Sequence, residues 1–134
     1  MKKGILFAFL ILLTVILSGM LHSLTIKKIS KASLESLTLV SQKLGRKEYD
    51  SARNEFYNYR EKWKKKKDTL AFLITHEEID AITHKNAQLS ACFNDEAETE
   101  AFSIIGELHE LFLELEQKFS VNLKNILQIR SVFI

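Results

Sequence analysis

His76, Asp80 and His84 stand at i, i+4 and i+8, so a helix carries all three on one face over two turns. Imidazole and carboxylate are zinc ligands, and Glu77 lies beside the set. The stretch is not the metalloprotease signature, because HEEID has Asp where that signature needs its second His. His76 and His84 also fall about 12 Å apart along a helix axis, too far to share one ion unless another element bends in. Two other readings compete with metal. In one, Asp80 fixes the tautomer of His76 or His84 and the cluster links helices across a bundle. In the other, it is the polar anchor of a protein-binding groove with Trp63 as apolar partner. Histidine titration near neutral pH leaves a pH-sensing role open.

Other chemistry is sparse. Cys92 is the single cysteine, so it cannot form an internal disulfide, and beside an apolar seam it reads as a small buried hydrophobe. No His-Asn arrangement marks it as a nucleophile, no glycine-rich loop could cradle phosphate, and no catalytic triad is present. The expectation is a protein without catalytic activity and without a cofactor. Trp63, Tyr49 and Tyr59 share one helical stripe and, with Tyr57, read as core and rim rather than a ligand cage. Lys64 to Lys67 read as a solvated helix end; base-stacking aromatics do not alternate with them, so nucleic acid is not an expected partner.

The element that positions everything else is the run Gly4 to Leu21, GILFAFLILLTVILSGML, 18 residues without a charge. As a helix it is roughly 27 Å long, close to the roughly 30 Å hydrocarbon core of a bilayer. Lys2 and Lys3 precede it as in a signal peptide, but the cleavage sites ending at Gly19 or Ser23 put Leu17 or Leu21 three residues back. An uncleaved single-pass anchor over residues 1–23 is expected, with residues 24–134 as one domain. Lys2, Lys3 and the terminal amine nearly balance Lys27, Lys28 and Lys31 across the run. An anchor and a cleaved signal would both export the remainder of the chain, so the domain is expected on the extracytoplasmic side of the cell membrane.

Proline is absent, and the only glycines are Gly4, Gly19, Gly45 and Gly106. Such a chain reads as long helices with short turns. Charge is divided: residues 27–67 carry 13 Lys or Arg against 5 Asp or Glu, and residues 68–134 carry 4 against 12. Either two oppositely charged hairpins complement each other, or the basic half lies along anionic lipid headgroups.

Four helices are expected. The first places Leu24, Ile26, Ile29, Leu34, Leu37, Val40 and Leu44 on a ragged stripe continuous with the membrane run and ends at Gly45 as a C-cap. The second, residues 47–67, carries Tyr49, Ala52, Phe56, Tyr59 and Trp63 on one face. Asp68 is the expected N-cap of the third, whose seam runs Phe72, Ile79, Ile82, Asn86, Leu89 and Phe93 to a turn at Asn94 and Asp95. The fourth carries Ala97, Ala101, Ile104, Leu108, Leu111 and Leu115, widened by Ile105, Phe112 and Phe119. The recurrence of Asp50-Ser51-Ala52 as Asp95-Glu96-Ala97 suggests two stacked hairpins, similar in plan to tetratricopeptide-like arrays but off their period.

The anchor, then Trp63-Lys64-Lys65, then His76-Glu77-Glu78-Ile79-Asp80, then Asn122-Leu123-Lys124-Asn125-Ile126 give the chain a family likeness. It resembles the bacterial family called domain of unknown function four-three-six-three, from the anchor to Leu127. That resemblance implies a small exported or membrane-anchored helical protein and supplies no mechanism. Trp63, His76, Glu77, Asp80, Asn122 and Asn125 are the residues expected to form an interaction or structural motif.

The expected protein is all-α: an N-terminal transmembrane helix followed by a four-helix domain of two antiparallel hairpins. Its expected role is a non-enzymatic interaction or scaffold module with an unidentified protein partner, held to membrane lipid by its first helix. A metal-binding or pH-sensing protein using His76, Asp80 and His84 is the alternative. A structural membrane protein that self-associates as a homo-oligomer through its fourth helix is another.

Overall fold

A computed structural model of the chain describes the backbone of residues 1–132 and the side chains of residues 1–118. It is all-α, with four helices: α1 Lys2–Gly45, α2 Tyr49–Leu70, α3 His76–Asn94 and α4 Glu98–Val132. No strand occurs among the described residues. The helices run up, down, up and down. α1 packs along α2 and α4, α3 packs along α4, and α2 meets α3 more loosely, closing the ring.

α1 is one uninterrupted helix of 44 residues that plays two parts. Through residue 22 its side chains are exposed apart from a half-buried Ser18, and an 18-residue window has a mean hydropathy of 2.6. From Ser23 onward it enters the bundle without a break. The side chains it buries there are Ser23, Ile26, Ser30, Ser33, Leu37, Val40 and Leu44, spaced three and four residues apart in strict alternation. That seam differs from the ragged apolar stripe read from the sequence, because serine holds three of its positions. Leu24 points away from the core and is 58% exposed. A helix face toward a close neighbour needs small side chains as much as apolar ones, and hydropathy alone does not register that.

The other helices fill the centre. α2 contributes Phe56, Tyr59 and Trp63, α3 contributes Ile82, Leu89 and Phe93, and α4 contributes Ile104, Leu108 and Phe112. The rings of Tyr59 and Trp63 both meet Phe112 edge-on, at 6.3 and 5.8 Å between centroids, while Phe56 stacks on Phe93 at 5.2 Å. Tyr49 departs from the expected stripe. It is exposed at the first turn of α2 and donates its hydroxyl to Glu98 Oε2 at 3.0 Å.

Three turns differ from the sequence reading. α1 does not use Gly45 as a left-handed cap; Gly45 is its last helical residue, and Lys47 takes the left-handed conformation at φ 61°. The Glu48 amide donates to the Lys43 carbonyl at 2.9 Å and the Lys47 amide to the Leu44 carbonyl at 3.0 Å, a complete Schellman motif. The α3–α4 turn has the same plan, with Glu96 at φ 55° and the Ala97 amide donating to the Cys92 carbonyl at 3.0 Å. The equivalent positions are thus Lys47 and Glu96. Asp50 lies in the first turn of α2 while Asp95 caps the end of α3, so the three-residue recurrence read from the sequence pairs unlike positions.

α2 also continues past its lysines to Leu70, leaving Asp68 inside a helix. α3 is capped by Thr75, whose hydroxyl accepts from the Glu78 amide while the Glu78 carboxylate accepts from the Thr75 amide. This capping box satisfies two terminal amides at once, which a lone Asp68 could not do. Phe72 consequently falls in the α2–α3 turn instead of the α3 seam.

Candidate functional site

The sequence-derived cluster lies on the outside of α3. His76, Glu77, Asp80 and His84 are all exposed. His84 Nε2 contacts Gln88 Nε2 at 3.2 Å rather than Asp80. No group of three or more His, Cys, Asp or Glu side chains is gathered closely enough to hold a metal ion among the described residues. Helix rise explains this: the set is strung along two turns, and among the described residues no neighbouring helix adds a donor to it. The proposed tautomer-fixing bond from Asp80 and the cross-bundle link are likewise not formed by these side chains among the described hydrogen bonds.

Trp63 lines the inner side of the α1–α2 groove and bonds to the residue next to His84. It is buried in the core, where its Nε1–H donates to Thr83 Oγ1 at 3.2 Å. Asn122 and Asn125 lie outside the residues whose side chains are described.

Beside the Phe56–Phe93 stack, a ladder of polar contacts joins α2 to α3. Arg53 Nη2 donates to the Phe93 carbonyl at 3.0 Å, Arg60 Nη1 to Ser90 Oγ at 3.0 Å, and the Tyr59 hydroxyl to Asn86 Oδ1 at 2.9 Å. The guanidinium of Arg60 also lies over the Tyr57 ring, 4.9 Å from its centroid. Long side chains bridge a gap that close backbone packing does not fill. Burial pushes the Tyr59 phenol well above its ordinary value. Sequence reading placed Asn86 on the seam but had no signal for its partner, since the pair is 27 residues apart.

Three concave surfaces remain among the described residues, of which one, about 530 Å³ between α3 and α4, is lined by Glu78, Ile82, Glu114 and Lys118; the other two lie at the two ends of α2. One, of about 720 Å³, lies where the α1–α2 and α3–α4 turns meet and is lined by Tyr49, Arg53, Cys92, Glu96 and Glu98. Its only thiol is unsuited to attack: burial, then the charges of Glu100 and Asp95, push the Cys92 thiol up, away from the thiolate form.

The other, about 560 Å³, runs between α1 and α2 at the opposite end. Thr25, Lys28 and Ile29 line one wall, and Lys62, Lys66 and Thr69 the other. Because α2 runs antiparallel to α1, its lysine-rich end returns to the level at which α1 leaves the bundle. Lys28 and Lys66 thereby share this groove, Lys27, Lys31, Lys64 and Lys65 lie at a similar level of α1 and α2, and all six are exposed. Among the described residues, one of these six forms an ion pair, Lys64 with Glu61 at 3.4 Å. Nearby, Lys118 binds Glu78 at 2.8 Å. Partial burial raises the Glu78 carboxyl, but the bonds from Lys118 and Thr75 outweigh it and the net direction is downward.

A helical bundle whose first helix extends as an exposed apolar rod, with a lysine cluster where the rod emerges, defines a small all-α protein with one candidate membrane-spanning helix near its N-terminus. The family model described as Domain of unknown function (DUF4363) matches residues 20–126, and the chain belongs to that family. No curated protein and no solved structure matches it.

Proposed function

We propose that this protein is a membrane-anchored helical interaction module that works by binding rather than catalysis, with residues 24–134 held at the extracytoplasmic face of the cell membrane. The observation that carries this reading is the continuity of α1: one helix supplies both the exposed apolar rod and the Ser23–Leu44 seam of the core. A bundle built on such a helix stands on the membrane with no hinge between the two. Binding is favoured over catalysis because the distal cavity offers a thiol whose ionisation is suppressed. The α3 histidines, for their part, are spread along an outer face.

The test is cross-linking of intact cells with a membrane-impermeant, amine-reactive reagent, followed by mass spectrometry. A specific protein joined through lysines of residues 24–134 is the expected result. Cross-links confined to this chain would remove the partner from the reading. A chain left unlabelled in intact cells but labelled after lysis would put the domain on the inner face.

A further inference from the structure

We infer that the α2–α3 turn is a second membrane contact, in which Phe72 enters the headgroup region of the bilayer that α1 crosses while the surrounding lysines pair with anionic lipid headgroups. The inference rests on the reading of α1 as a membrane anchor and adds a surface to it.

The first observation is exposure. Phe72 is 91% exposed, more than any other large apolar side chain described beyond residue 22. Its neighbours in the turn behave differently: Leu70 and Ile74 are buried, and Leu73 is half-buried against the core. Those anchors hold the turn in place, so Phe72 is presented rather than left loose.

The second observation is level. Lys43 pairs with Glu55 across α1 and α2, and the groove at the other end faces Thr25 and Lys28 toward Lys66 and Thr69. Continuing that antiparallel register by one turn sets Phe72 beside about residue 24 to 26 of α1. This is where the apolar run gives way to Lys27 and Lys28. An aromatic side chain at that height sits at the membrane interface, a position aromatic rings favour.

The third observation is charge. Lys64, Lys65 and Lys66 lie about two turns above Phe72 and are exposed, as are Lys27, Lys28 and Lys31 of α1. The acidic groups of this end are Glu35 on α1, Glu61 and Asp68 on α2, Glu77, Glu78 and Asp80 on α3 and Glu114 and Glu116 on α4, so the lysines dominate the α1 and α2 side; of the acids, Glu61 and Glu78 are engaged by Lys64 and Lys118. Lysines along the α1 and α2 side of an exposed aromatic tip are complementary to an anionic lipid surface. A protein occupant would have to fit between the turn and the bilayer.

The experiment uses the full chain reconstituted in vesicles of phosphatidylcholine with phosphatidylglycerol, some lipids carrying bromine at a shallow acyl position. With Trp63→Phe removing the native fluorophore, single tryptophans are placed by Phe72→Trp, Ser18→Trp and Asn54→Trp, and circular dichroism checks each fold. Phe72→Trp should lose roughly half its emission to brominated lipid, as Ser18→Trp does, while Asn54→Trp keeps its emission and is quenched by aqueous iodide instead. Adding Lys64→Gln, Lys65→Gln and Lys66→Gln should reduce quenching at position 72 and leave that at 18 unchanged. Quenching at 18 without quenching at 72 overturns the inference and leaves the anchor intact. Loss of quenching at 18 refutes the anchor reading and the inference with it. Shielding of position 72 from both quenchers also overturns it, in favour of a protein occupant.

Discussion

The phenol of Tyr59 donates a 2.9 Å hydrogen bond to Asn86 Oδ1 in the centre of the bundle, where both residues are buried. Asn86 Nδ2 is also buried and has no protein partner among the described residues, so this amide depends on a single donor. Tyr59→Phe strips that bond and is expected to cost about 1–3 kcal/mol, because an unsatisfied buried amide costs more than a hydrogen bond contributes on balance. Denaturant unfolding of the full chain in detergent measures it. A loss below about 0.5 kcal/mol would mean that water replaces the phenol.

The same residue sets an alkaline limit. Its folded-state pKa is raised, so the folded chain holds the phenolic proton at a pH where the unfolded chain releases it. The stabilisation is complete below the ordinary tyrosine value of about 10 and is lost as pH climbs through the raised value. Melting temperature should therefore fall above about pH 10 in the native sequence. In Tyr59→Phe that part of the fall should be missing, which a pH series of thermal melts would show.

Lys47 and Glu96 hold left-handed backbone that glycine adopts without steric cost. Lys47→Gly and Glu96→Gly should each stabilise the bundle by about 0.5–1 kcal/mol. Gly106 gives the converse case. It lies inside α4 and an added Cβ meets nothing within 4 Å, so Gly106→Ala should stabilise by about 0.5–1 kcal/mol. Chemical denaturation of the three variants gives the signs directly.

Phe112 is fully buried and receives the edges of Tyr59 and Trp63. Phe112→Ala opens a cavity shared by α2 and α4 and should cost about 3–5 kcal/mol. His84→Ala, on the exposed face of α3, should change stability by less than about 0.5 kcal/mol. Reversal of that order in parallel unfolding curves would mean that the outer face of α3 is structural.

At the start of α3 the capping box joins local and tertiary contacts. Thr75→Ala should cost about 1 kcal/mol. Because the Glu78 carboxyl is held below its ordinary range, its contribution is present above the unfolded carboxyl pKa and is lost as pH falls through the folded one. Lys118→Met should move the Glu78 carboxyl resonance to a higher titration midpoint, as followed by NMR.

By itself the sequence determined the all-α class, the family, the number of helices and the apolar span, for each of these is written in local pattern. The absence of proline, the 18 uncharged residues and the three-four spacing of Phe56, Tyr59 and Trp63 act over one or two turns. Local pattern misled where two signals competed. Asp68 looks like a cap, yet the reciprocal bonds of Thr75 and Glu78 place the start of α3. Phe72 looks like core by hydropathy, yet the shifted helix boundary leaves it in a turn. Serines at 23, 30 and 33 look like solvent positions, yet close approach of neighbouring helices favours small side chains there. Tertiary structure alone decided which distant residues meet. It paired Tyr59 with Asn86 and Trp63 with Thr83, and brought Lys66 back beside Lys28. Those juxtapositions follow from antiparallel register, which depends on how whole helix faces interlock and has no signature in any single stretch of chain.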